Sequence, residues 1–267
     1  MFKVTSPQFA AAAMLIAALA ASGCEKTAVK AEPAASASAP AEAAKPAEPA
    51  AAAAPEAVPP VAPVAAPVAA PAPLAAAPAG GGHPAMKDPK LATESAPDEF
   101  KVKVVTTKGD VVFAIHKAWS PAGADRFYNL VKIGYFADVA FFRSIAGFMC
   151  QFGIHGDPEV NNVWKEASIQ DDPPAGHTNA PYTLTFAKKG MPNSRSVQFF
   201  INFKPNSNLD GMGFTPFGEV VEGKDVVDKI STEYGDTPNQ MRVQSEGNRY
   251  LKAEFPNLDY VKSISLL

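Results

Sequence analysis

The sequence predicts one mainly β domain with two or three helices, placed behind a long Ala/Pro-rich segment. Two observations carry that reading. Between Glu25 and Glu99 there is no Phe, Trp or Tyr, whereas aromatic residues recur from Phe100 to the C-terminus. From Phe100 onward, short β-branched and aromatic runs alternate with turn residues, and only a few stretches have helical spacing. A segment without aromatics and with few large aliphatics buries too little apolar surface to offset its ordering entropy. The expected divisions are therefore 1–23, 24–97 and a folded domain over 98–267. A domain of that size buries about 70% of its unfolded surface, enough for one core.

Residues 1–23 read as an export signal. Lys3 gives a short positive region, and Ala10 to Ala21 is an apolar run containing Met14, Leu15, Ile16 and Leu19. The run is shorter than the roughly 20 apolar residues needed to cross a bilayer and fits a signal-peptide core. Ala21-Ser22-Gly23-Cys24 resembles a bacterial lipobox, although Ala21 replaces the usual Leu. The resemblance implies acylation of Cys24, a membrane anchor, and, with Glu25 rather than Asp following, the outer membrane of a Gram-negative-type envelope facing the periplasm. An ordinary cleaved signal is the alternative. The segment 24–97 is dense in Pro, which costs about 3 kcal/mol inside a helix, so an extended, disordered spacer is expected. It is either a stalk or soluble filler.

In the domain, Phe100 to Thr107 and Val111 to His116 flank the turn Lys108-Gly109-Asp110 and read as a hairpin. Ser120-Pro121 supplies an N-cap and first helical residue. Phe127, Leu130, Val131 and Ile133 give the helix an apolar face, and Gly134 ends it. Short strands follow around Ala140 to Arg143, Phe148 to Phe152, Tyr182 to Ala187, Gln198 to Asn202 and Phe217 to Val221. Lys224 to Ser231 and Arg242 to Glu254 read as further helices, and Tyr260 to Leu267 as a closing strand. Many short strands with separated helices fit a closed antiparallel barrel, which periodicity alone does not distinguish from a sandwich.

The formal net charge is -3 and no Lys/Arg run forms a basic stripe, so nothing points to nucleic acid. The two cysteines, Cys24 and Cys150, make no disulfide framework. Cys150 reads as a buried small hydrophobe. No close His pair has metal-ligand spacing, and no nucleophile elbow is present.

Two longer segments are more specific. Phe141-Phe142-Arg143-Ser144-Ile145-Ala146-Gly147-Phe148-Met149-Cys150-Gln151-Phe152-Gly153 and Ser196-Val197-Gln198-Phe199-Phe200-Ile201-Asn202 resemble, in order, the two signature stretches of the cyclophilins. Asp125-Arg126-Phe127-Tyr128-Asn129-Leu130, Leu209-Asp210-Gly211 and Phe217-Gly218-Glu219-Val220 fit the same family. The resemblance implies an eight-stranded barrel, an active site on its outer face, and isomerisation of X-Pro bonds in proline-containing polypeptides without metal or cofactor. It implies that Arg143 is the catalytic arginine and that Phe148, Met149, Phe200 and Leu209 form the proline pocket. Gln151 is implied to bind substrate backbone, and Ala187 to line the groove. Two positions depart, although both are still expected to bind substrate: Asn208 stands where many members have Trp, and Phe214 replaces the pocket histidine after an insertion in Gly211-Met212-Gly213. The expected protein is a monomeric isomerase assisting exported proteins. The rival readings are a non-catalytic proline-peptide-binding module and an envelope chaperone or adaptor.

Overall fold

The computed structural model describes residues 82–267. The expected export signal, Cys24 and most of the expected spacer lie outside the described residues.

The domain is built on one antiparallel sheet. In chain order its strands are β1 (Glu99–Thr106), β2 (Asp110–His116), β3 (Val139–Ala140), β4 (Arg143–Ile145), β5 (Met149–Phe152), β6 (Thr183–Phe186), β7 (Phe199–Asn202), β8 (Pro216–Glu222) and β9 (Tyr260–Leu266). The helices are α1 (Pro121–Lys132), α2 (Pro158–Trp164), α3 (Lys224–Val227), α4 (Gln240–Glu246) and α5 (Asn248–Glu254). The strand order is β3-β9-β1-β2-β8-β6-β7-β5-β4.

The expected eight strands are thus nine. The single strand expected over Ala140 to Arg143 divides, because its first part pairs with β9 and the next strand pairs with β5. Only Phe141 and Phe142 separate the two. Phe141 joins the main core and Phe142 a second cluster with Val243, Tyr250 and Leu251. The two end strands of the sheet are therefore consecutive in the chain, and the sheet is curled so that its edges are bridged by that dipeptide. No ladder among the described residues joins β3 to β4, and the architecture is a curled nine-stranded antiparallel sheet with these two strands at its ends.

Helix count also differs. The third expected helix is two, α4 and α5, parted by Gly247 at φ 60° and ψ -144°. A Cβ there would lie 2.0 Å from the Gly156 carbonyl oxygen, so only glycine fits. α2 carries few apolar residues, so its periodicity is weak.

The core lies on the concave face and is aromatic. Phe199 is its hub, with ring centroids of Phe186, Phe127, Phe136, Phe152 and Phe217 between 4.5 and 5.9 Å away. α1 covers this core with Phe127, Leu130 and Val131, the face expected from its spacing. Its C-terminus is a Schellman turn: Gly134 N–H donates to the Val131 carbonyl (3.1 Å) and Tyr135 N–H to that of Leu130 (3.0 Å).

At the other end of α1, Ser120 is the N-cap residue, but its side chain does not cap. Asp172, from a loop 50 residues away, does so by accepting from Ala122 N–H and Gly123 N–H, both at 3.0 Å. Asp172 also accepts from Ser120 Oγ and, at 2.9 Å, from Arg195 Nη2. Burial pushes its carboxyl up, but the hydrogen bonds from Ser120 and Ala122, the Arg195 charge and the bond from Gly123 outweigh that and hold it below its ordinary value.

The expected boundary at Asp98 is moved towards the N-terminus. Short 3-10 turns occur at Pro84–Met86 and Pro89–Leu91, and Ala85 and Met86 are buried in the main core. Trp164 Nε1 donates to the carbonyls of Ala85 (3.1 Å) and Met86 (3.2 Å). Asn129 bonds both backbone groups of Glu94, and Asp125 accepts from Ala96 N–H at 2.7 Å. Three side chains of the folded domain therefore hold a segment too poor in apolar residues to bury itself.

The Asp172 cap sets an acid dependence. Because its folded carboxyl lies below the ordinary 3.8, its stabilisation is complete above that pH and is lost as pH falls through the lower folded value. Asp172→Asn is expected to cost about 1 kcal/mol near neutrality and to flatten the acid limb, measured by urea unfolding of both proteins from pH 7 to pH 3.

Candidate active site

The period of two along the strands separates core from groove. On β7, Phe199 and Ile201 enter the core while Phe200 faces outward; on β5, Cys150 and Phe152 enter the core while Met149 and Gln151 face outward. Cross-strand register aligns the outward residues. Arg143 on β4 lies opposite Gln151, Gln151 opposite Phe200, and Phe200 opposite Thr185. One row across three strands therefore presents a guanidinium, an amide and an aromatic ring, while Thr185, next in register on β6, is fully buried and its hydroxyl donates to Asn179 Oδ1 at 2.9 Å.

This row floors a groove of about 450 Å3. Of the residues expected at the site, Arg143, Phe148, Met149, Gln151, Ala187, Phe200, Leu209 and Phe214 all line it. Met149, Phe200 and Leu209 form a small apolar cluster of their own, with Phe148, Ala187 and Phe214 packed against it. The Phe200 and Phe214 rings meet at 6.0 Å and 68°, edge to face, so Phe214 does supply an aromatic wall. Asn208 does not join them. It is exposed on the 3-10 turn Ser207–Met212 and absent from the groove lining, while its neighbour Leu209 turns in. The expectation that Asn208 lines the groove is corrected: the one buried side chain of this turn is the apolar Leu209, and the polar Asn208 beside it stays in solvent.

Arg143 is loosely held. Its Nη1 donates to Gln151 Oε1 at 3.4 Å, and Nη2 stands 4.0 Å from Asp236 Oδ2. Gln151 is buried, and its Nε2 donates to Gln198 Oε1 at 2.8 Å, which fixes the amide orientation. Arg143 itself lines the groove with no tighter contact than these among the described residues. Cys150, opposite Ser144 and Ile201, is fully buried with its thiol pushed up by desolvation, so it offers no nucleophile.

The walls depend on a buried amide network. Asn179, Asn202 and Asn206 are buried. Asn202 Nδ2 donates to Asn179 Oδ1 (3.2 Å), and Asn206 Nδ2 donates to Asn202 Oδ1 (2.7 Å) and the Phe148 carbonyl (2.9 Å). Asn179 Nδ2 donates to Asp210 Oδ1 (2.7 Å) and the Phe214 carbonyl (2.8 Å). The network thus ties the loop bearing Phe148 to the turn bearing Leu209 and Phe214. Burial raises the Asp210 carboxyl, but hydrogen bonds from Thr178 and Asn179 hold it below its ordinary range.

Sequence reasoning missed other lining residues. Gln240, Met241 and Gln244 come from α4, about 100 residues from Arg143, and no local pattern announces them. The loop beside α4 is pinned to β4 by Ser144 N–H donating to the Gly235 carbonyl at 2.9 Å. Lys188 and Lys189 also line the groove. Two cations directly after the apolar run Leu184 to Ala187 were the signal available for them.

The fold and groove define a class: a curled antiparallel β protein with an apolar, polypeptide-sized groove on its outer face, flanked by a guanidinium and an ordered amide. Residues 101–248 match the family described as cyclophilin type peptidyl-prolyl cis-trans isomerase/CLD, and the chain belongs to that family. Peptidyl-prolyl cis-trans isomerase cyp18 of Streptomyces antibioticus is 35% identical over 136 residues, which cover 48% of this chain and 81% of that protein. Peptidyl-prolyl cis-trans isomerase B of Escherichia coli is 33% identical over 132 residues, covering 47% of this chain and 80% of that one. A crystal structure of a cyclophilin type peptidyl-prolyl cis-trans isomerase from Cryptosporidium parvum aligns with a TM-score of 0.49 at 21% identity, over 63% of this chain and 98% of that one.

Asn179→Ala removes partners from Asn202 Nδ2, Thr185 Oγ1 and Asp210 at once. It is expected to cost about 2–3 kcal/mol in urea unfolding, since the buried Thr185 hydroxyl loses its acceptor and the Phe214 carbonyl its side-chain donor, while Asn202 and Asp210 keep only their other partners. Nuclear magnetic resonance should show loss of fixed shifts for the Leu209–Phe214 wall.

Proposed function

We propose that the groove accelerates rotation about X-Pro bonds through Arg143, with no covalent intermediate. The observation that carries this is the row Arg143–Gln151–Phe200, in which a weakly committed guanidinium stands two strands from the apolar pocket.

The chemistry follows from the amide. Its nitrogen lone pair is delocalised into the carbonyl, which gives a rotation barrier of about 18–20 kcal/mol. In the twisted transition state the lone pair returns to nitrogen and charge separation falls. A donor fixed beside the nitrogen binds that state better than the planar one, which is the condition for catalysis. Arg143 is a planar cation with a rigid fork of donors, suited to that place. Phe148, Met149, Phe200 and Leu209 grip the pyrrolidine ring and keep water from it, which favours the less polar twisted amide. Gln151 holds the flanking backbone, so that one side of the bond stays fixed while the other turns. Ala187 leaves room for the chain to pass and Phe214 closes the far side.

Uncatalysed rotation takes tens to hundreds of seconds. A turnover of about 10³ per second needs about 5–7 kcal/mol of barrier lowering, at 1.36 kcal/mol per decade. One charge-assisted donor supplies about 3–4 kcal/mol of this by analogy with oxyanion donors, and desolvation with ring grip supplies the rest.

The substrates on this reading are exported, unfolded polypeptides. The N-terminal segment supports it: an apolar run that fits a signal peptide precedes Cys24 in a lipobox-like context. Acylation of Cys24 would hold the mature chain on the periplasmic face of an outer membrane, since stable anchoring needs more than one chain.

Two experiments test these statements. Exchange spectroscopy on a proline peptide with the full chain should show catalysis, and Arg143→Ala should lower kcat/KM by about 10²–10³-fold; retained activity removes the role of Arg143. Labelling cells with a fatty-acid analogue should mark the wild type and not Cys24→Ala; equal labelling removes the anchor.

A further inference from the structure

The groove has a charge that its chain does not. The full sequence carries a net charge of -3, yet the groove lining includes Arg143, Lys188 and Lys189 and no carboxylate. A second cavity of about 500 Å3 adjoins it, sharing Lys188, Lys189 and Phe214 and adding the exposed Met191 and Met212 together with one carboxylate, Asp171, against two lysines.

The two lysines are held differently. The Lys188 side chain is mostly buried; its ammonium lies 5.5 Å from the Phe214 ring centroid and 3.7 Å from Asp171 Oδ2. Asp171 is shared with Arg195, whose Nε stands 3.4 Å from Oδ1, so Lys188 is only partly neutralised. Lys189 is exposed, and among the described residues it has no carboxylate within 4.0 Å. Its backbone is fixed, however: its N–H donates to Ser194 Oγ at 3.0 Å, and that hydroxyl in turn donates to the Met191 carbonyl at 2.7 Å, closing the turn. A cation without an ion-pair partner thus stands on an anchored backbone at the seam of two cavities.

We infer that Lys189, assisted by Lys188, selects prolyl segments that carry Asp or Glu near the proline, with Met191 and Met212 packing the intervening apolar side chains. Methionine surfaces adapt to varied apolar groups, whereas a fixed cation discriminates by sign. This rests on the proposed use of the groove for prolyl polypeptides and narrows it to acidic ones.

The test compares three peptides identical except for flanking Glu, Ala or Lys around one Ala-Pro bond. Both the dissociation constant and the exchange rate are measured on the full chain at low and high salt. The Glu peptide is expected to bind about fivefold tighter than the Lys peptide at low salt, with the difference shrinking as salt screens it. Lys189→Gln should remove most of the discrimination and Lys189→Glu should invert it, which a merely structural effect would not do. Equal binding of the three peptides by the wild type overturns the inference, as does discrimination unchanged by Lys189→Glu. Sign discrimination in binding without catalysis would instead sink the isomerase mechanism and leave the charge selection standing. Catalysis of all three peptides at one rate and affinity would do the reverse.

Discussion

The alternation of Phe199 and Phe200 on β7 is the constraint on which the rest depends. Consecutive strand residues point to opposite faces, so one ring is the hub of the aromatic core and the next is the floor of the groove. A slip of one residue would exchange them. The register is fixed because both faces are specified. Phe199 must meet five other rings, and Phe200 must lie between Gln151 and Thr185. Core packing thereby positions the site: the energy that folds the domain also sets the distance between guanidinium and pocket.

Loops then have to become walls, and here apolar packing is not enough. Phe148, Leu209 and Phe214 sit on turns whose backbone groups need partners in a partly dry setting. The amides of Asn179, Asn202 and Asn206 provide them, each making bonds to groups from different loops. Such a network holds geometry only while every member is satisfied. Asp210 adds a carboxylate acceptor at its edge, and its own hydrogen bonds keep it charged. The groove is therefore framed by directional bonds around a nondirectional pocket, which suits a reaction in which one part of the ligand stays still and another turns.

Much of this was legible in the sequence, for local reasons. The opening hairpin and α1 were marked by alternation, by Ser120-Pro121 and by Gly134, and all form. The groove was not legible from periodicity. β5 and β7 are buried on both faces, and such strands read as largely apolar runs without a preferred side. Only the resemblance of whole segments to a known family separated Phe200 from Phe199. What stayed hidden was nonlocal: the Asp172 cap on α1, the α4 wall, and the docking of residues 83–97 by Trp164, Asn129 and Asp125. In each case the partner lies tens of residues away, and composition reports nothing about it. Asn208 shows the converse error, in which a position inherited from a resemblance is not where this turn points its side chain.

The three arginines of the central region show why Arg143, and not another, suits the proposed chemistry. Arg195 is buried and donates to Ser120 Oγ, the Gln170 carbonyl and Asp172. Arg126 donates to the Ala167 and Ser196 carbonyls and stacks 5.3 Å from the Trp164 ring, with burial lowering it to about 10. Both are committed to holding loops. Arg143 sits on the end strand β4, and its contacts at 3.4 and 4.0 Å are long. A donor already bound tightly would have to break that bond to serve a substrate, and the cost would cancel much of the transition-state gain. A guanidinium oriented by one weak contact to Gln151, and otherwise uncommitted, keeps its direction while leaving its donors for the amide nitrogen. On the proposed mechanism, a place on the end strand β4 leaves the charged fork aimed by Gln151 and otherwise uncommitted.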